Sequence, residues 1–106
     1  MDKKLYAVAV DVDGSEPFAR KGSTLIVSQD EEPVSGDEVF MKYRVDGRDC
    51  HAVRVYVTTD LERGVAVTSS IGSRDFHETQ LCDIELLDPI VSVERPQTVR
   101  PKRQAA

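Results

Sequence analysis

The side chains in this 106-residue sequence whose chemistry goes beyond packing are few: Cys50 next to His51, then His77 and Cys82, and Asp2, Asp11 and Asp13 near the N-terminus. Zinc sites draw their ligands in closely spaced pairs from two loops. Adjacent residues on a strand point to opposite faces, so Cys50 and His51 do not chelate one ion together. We expect no metal here, and read Cys50 as core filler and both histidines as surface residues. Asp11 and Asp13 share a face of an extended segment, with Asp2 upstream, which gives a divalent cation some geometry. Water satisfies an acidic turn equally well, and we expect no ion there either. Asp30-Glu31-Glu32 reads as a solvated loop. Ser15 lies in Asp13-Gly14-Ser15-Glu16-Pro17, where its hydroxyl suits a turn. The sequence contains no phosphate-binding P-loop, no GxGxxG and no Ser/His/Asp arrangement, so no cofactor is expected.

Composition narrows the partners. A net charge of −5 opposes binding to polyphosphate, which depends on cations releasing counterions. The basic cluster Arg100, Lys102 and Arg103 falls in a Pro- and Gln-containing tail, 96–106, that reads as disordered. We therefore expect no direct nucleic-acid contact. No run approaches the roughly 20 apolar residues of a membrane span, and Met1-Asp2-Lys3-Lys4 leads into a strand pattern instead of an apolar leader. These features predict a cytoplasmic protein without membrane contact, its two thiols reduced by default, although spacing alone leaves a disulfide open.

The elements that must position these residues are strands. Hydrophobic residues make up 40% of the chain with only three Phe, three Tyr and no Trp, so the core is aliphatic and rich in Val. From Leu5 to Val12, Tyr6, Val8, Val10 and Val12 alternate with Ala7 and Ala9, a pattern that suits a strand covered on both faces. Thr24–Val27 is a second run. Val39–Val45 ends at Asp46-Gly47, a strong signal for a two-residue hairpin. The returning strand, about Cys50–Thr58, points Val53, Val55 and Val57 one way and Arg54, Tyr56 and Thr58 the other. Asp60–Gly64 is a turn before Val65–Thr68, and Asp83–Glu94 supplies one or two last strands, with a break at Pro89 expected because proline cannot donate to the ladder. Gly22 and Gly36 suit positive φ, with Pro33 fixing the backbone ahead of the second turn. No helical periodicity appears. The reading is all-β: a single, mainly antiparallel β domain over residues 1–95.

Asp13-Gly14-Ser15-Glu16-Pro17, Gly22, Leu25-Ile26-Val27, Glu32-Pro33 and Gly36-Asp37 follow one another at a spacing that resembles the C-terminal domain of LexA-type and phage repressors, a signal-peptidase-like fold with a self-cleaving Ser-Lys dyad. No gap is needed from Asp13 to Met41. Asp46-Gly47 and Ala52-Val53-Arg54-Val55 resemble that family's next hairpin with a residue or two inserted, and Ile84–Arg95 its closing strands. The resemblance implies a Ser at the position held here by Gly14 and a Lys at the position held by Val53. Glycine has no nucleophile and valine no base. Ser15 lies one place along and, in an extended segment, faces away. Arg54 stays protonated and is no general base, and Lys42 is expected in solvent. The family cleaves at Ala-Gly or Cys-Gly, and neither dipeptide occurs in this sequence.

The resemblance thus implies a protein that is not an enzyme: a domain that pairs with itself, or with another repressor-type protein, in transcriptional regulation. No helix-turn-helix pattern precedes Leu5, so we expect either a piece of a larger regulator or a stand-alone module. The latter would act as an antirepressor-type partner of a full-length repressor. Two other readings stay open: a residual serine peptidase using Ser15, and an unrelated β-barrel binding module.

Overall fold

The computed structural model describes residues 4–10 and 22–95. Asp2, Asp11, Asp13, Gly14, Ser15 and the tail from 96 lie outside them. Strand formers separated by turn residues give seven strands: β1 (Leu5–Ala9), β2 (Thr24–Ser28), β3 (Glu38–Val45), β4 (Arg48–Asp60), β5 (Val65–Ser70), β6 (Phe76–Gln80) and β7 (Ile84–Glu94), with a three-residue 3₁₀ turn, Leu81–Asp83, between the last two. All pairings are antiparallel, in the order β1-β2-β7-β3-β4-β5-β6. The all-β, antiparallel expectation holds.

Asp46 and Gly47 both have positive φ, 51° and 78°. This is the backbone of a type I′ turn, whose twist matches the strands it joins, and it sets Val45 opposite Arg48. Pro89 does not break the last strand. β7 runs through it, pairing with β3 up to Pro89 opposite Val39 and with β2 from Ile90 opposite Val27. The missing N–H therefore sits where one partner strand hands over to the other.

The sheet is far from flat. β1 and β3 stand three strand spacings apart in the order, about 14 Å if flat, yet the Tyr6 and Phe40 rings meet edge-on at 6.4 Å. The β1-β2 end therefore folds over β3, and the fold encloses a core of Val10, Leu25, Val27 and Phe40, flanked by Tyr6, Val8, Val53, Leu86, Ile90 and Val93. Leu25 and Val27 are fully enclosed, and each such aliphatic side chain contributes about 1.5–3 kcal/mol.

The other end curls in the opposite sense. In a flat sheet β6 and β7 would lie about 19 Å apart. The 3₁₀ turn that joins them covers roughly 8 Å, so β7-β3-β4-β5-β6 wrap toward a barrel, without β6–β7 pairing among the described residues. Register puts Val39, Met41, Ala66 and Thr68 on the inner side of this wrap, all with no solvent exposure.

Three expectations are corrected by this packing. The Ala face of β1 is not covered: Leu5 is 53% exposed and Ala7 and Ala9 are open to solvent, because only the Tyr6 and Val8 side of β1 packs on the core. The Val53, Val55, Val57 alternation does not run through, since a bulge between Tyr56 and Thr58 takes Val57 out of register. Cys50 is only half-buried, and it and the exposed Cys82 are both free thiols.

Candidate functional site

Two places are candidate sites, one on each face of β4. The first is the position that the family resemblance assigns to a catalytic lysine. Val53 is half-buried against the Phe40 core and opposite Phe40 in the ladder. The nearest cation on that face of β3 is Lys42, opposite His51, with its Nζ 3.4 Å from Glu85. Its side chain is 30% exposed, so it is an ion-paired rim residue and less open than expected. His51 is exposed and stacks on the Phe40 ring with centroids 5.9 Å apart. Beside these, Asp88 is 5% exposed, and Tyr6 donates to its Oδ2 at 2.8 Å. A buried carboxylate needs such a donor. Burial foremost, then the hydrogen bond and charge of Asp88, hold the Tyr6 phenol well above the usual tyrosine range. Gly14 and Ser15 fall outside the described residues.

The second place is inside the curl. Arg54 follows Val53, so alternation turns it to the inner face. There it is half-buried, and Nη1 donates to Thr68 Oγ1 at 3.3 Å and Nη2 to Tyr43 Oη at 3.4 Å. Its guanidinium carbon stands 5.9 Å over the Tyr43 ring, within range of a cation–π contact. Next to Thr68 across the β5–β6 ladder, half-buried His77 meets Ser70 Oγ through Nε2 at 2.8 Å. A cleft of about 580 Å³ opens here, walled by Tyr43–Gly47 on one side and His77–Gln80 with Asp83 on the other, and Arg54 lines it.

Sequence reasoning treated Arg54 only as a failed base and His77 as a surface residue. The first is a buried-face polar anchor and the second faces the cleft. A signal for Arg54 was present, because strand alternation already set it opposite the valines. His77 had none: β6, Phe-His-Glu-Thr-Gln, carries one apolar residue, and that Phe76 is 65% exposed. Cys50 and His51 point to opposite faces as expected, opposite Tyr43 and Lys42 respectively. Among the described residues no group of His, Cys, Asp or Glu is arranged to hold a metal, and no helix is long and apolar enough to cross a membrane. Comparison with protein-family models, with curated proteins and with solved structures gives no match.

Proposed function

We propose that this chain is a non-catalytic module of the LexA and phage-repressor C-terminal type, which serves transcriptional regulation by pairing with a second copy of itself. The observation that carries the reading is Val53. By the resemblance it stands where a Ser-Lys peptidase would need its base, and it packs half-buried against Phe40 and its neighbours. The adjacent cation, Arg54, is turned to the other face and held by Thr68 and Tyr43. A role in assembly is supported by β1. Among the described residues this edge strand pairs with β2 alone, and its outer face carries Leu5, Ala7 and Ala9, all exposed. An apolar edge with unpaired backbone N–H and C=O groups invites strand addition. Two copies related by a two-fold axis would pair their β1 strands antiparallel, which closes the assembly at a dimer. A full-length repressor of the same fold offers the same edge, so an antirepressor role uses the same surface.

The test is the solution mass by light scattering after size exclusion, across a dilution series, with Ala7→Lys as the control at the edge. A dimer that Ala7→Lys dissociates supports the reading. A monomer at high micromolar concentration removes self-pairing as the role, and capture of a full-length repressor then decides for the antirepressor form. Incubation with an Ala-Gly hinge peptide should give no cleavage. Cleavage abolished by Ser15→Ala would replace this reading with a residual peptidase.

A further inference from the structure

Arg54 is a half-buried guanidinium with no carboxylate partner among the described residues. Its two contacts are with neutral hydroxyls, at 3.3 and 3.4 Å, both at the long end for hydrogen bonds. Guanidinium carries five N–H donors in a flat fork, so most of that capacity is unused by the protein. Withdrawing a cation from water without a counter-ion is costly. Other arginines of the chain behave differently: Arg44 pairs with Asp49 and Arg63 with Glu78, both on the surface. Of the two arginines that line the cleft, Arg44 is paired with Asp49, and Arg54 is the half-buried one without an acid among the described residues.

The surroundings select the anion. The fork of an arginine matches the two oxygens of a carboxylate or phosphate. His77 and the Tyr43 hydroxyl line the cleft beside it, with Ser70 behind His77 as its hydrogen-bond partner. The rim, however, carries Asp46 and Asp83; of the other charged lining residues, Arg44 is paired with Asp49 and Glu78 with Arg63. A dianion such as phosphate would be repelled by that rim, whereas a single carboxylate placed deep on Arg54 keeps its charge farther from it. The cleft is wide enough for more than the anion alone, with the Tyr43 ring as its apolar wall.

From this geometry we propose that the cleft between the β3–β4 hairpin and β6 is a carboxylate-binding site, in which Arg54 takes the anion and Tyr43 and His77 orient it, His77 being held by Ser70. The carboxylate is either that of a small organic acid or the C-terminus of a peptide. This site does not rest on self-pairing through β1, which lies at the far edge of the sheet.

The experiment is an NMR titration of the intact chain, following the Arg54 Nε–H signal and the backbone amides of β6. The probes are acetate, succinate, a pentapeptide with a free C-terminus, the same peptide amidated, and inorganic phosphate. Saturable shifts with the free-acid peptide but not its amide or acetate assign a chain terminus. Saturation by succinate or acetate assigns a small acid. In either case Arg54→Gln should weaken binding about tenfold or more, the loss expected for a charge-assisted pair, and Arg54→Lys less. His77→Gln, a milder change at the rim, should also weaken binding and serves if Arg54→Gln does not fold. No saturable shift with any carboxylate, or tighter binding of phosphate than of every carboxylate, overturns the proposal.

Discussion

The Tyr6 hydroxyl donates to the Asp88 carboxylate at 2.8 Å, joining the first strand to the last across 82 residues of sequence. It lies beside the Phe40 core and ties β1 to β7 where β1-β2 closes over β3. Tyr6→Phe leaves a carboxylate that is 5% exposed without this donor. The expected loss is about 1–3 kcal/mol in urea unfolding. Asp88→Asn, which keeps an acceptor for the hydroxyl, should cost less.

The same pair makes stability fall in alkali. The folded chain holds the Tyr6 proton more tightly than the unfolded chain does. Its stabilising share is therefore fully present below the ordinary tyrosine pKa of about 10 and is lost as pH rises above it toward the raised folded value. Thermal melts between pH 8 and 11, a range of about one unit or more on either side of that value, should decline at the alkaline end. In Tyr6→Phe the decline should be shallower.

Phe40 stands at the centre of the folded-over core, 8% exposed, with Tyr6 against one side of its ring and His51 against another. Phe40→Ala should cost about 3–5 kcal/mol by equilibrium denaturation, a large part of the stability of a domain this size. Phe40→Leu should cost clearly less.

Gly47 takes φ of +78° in the β3–β4 turn, and a Cβ there would meet nothing within 4 Å. Replacement is therefore penalised by backbone conformation alone. Gly47→Ala should lose about 1–2 kcal/mol, while Gly47→Asn, whose side chain tolerates the left-handed region, should come close to wild type.

Cys50 and Cys82 are free, the first half-buried on β4 and the second exposed in the 3₁₀ turn. Reaction with a thiol reagent under native conditions should be biphasic and total two equivalents, with Cys82 reacting first. Cys82→Ser should remove the fast phase.

Much of the strand content was legible because it is local. The run Val39–Val45 marked β3, alternation marked β4, Asp46-Gly47 marked the turn between them, and the positive φ of Gly22 and Gly36 followed from residue type. β6 was not legible: an edge strand whose inward positions are His77 and Thr79, both half-buried, has no apolar period to read. Val53 could be assigned to an apolar face in advance, and Arg54 to the face opposite, but nothing local says that the second face closes around a cleft.

What the sequence determines by itself is most of the extended runs, the reversal between β3 and β4, and that Val53 and Arg54 face opposite ways. Backbone preference and side-chain alternation act over a few residues and need no fold to be read. The tertiary structure alone decided that β7 bridges β2 and β3 by changing partner at Pro89, that Asp88 is buried beside Tyr6, and that Arg54 and His77 line the same cleft. Those facts depend on pairings between residues far apart in the chain and on the curl of the whole sheet, and no short stretch of sequence carries them.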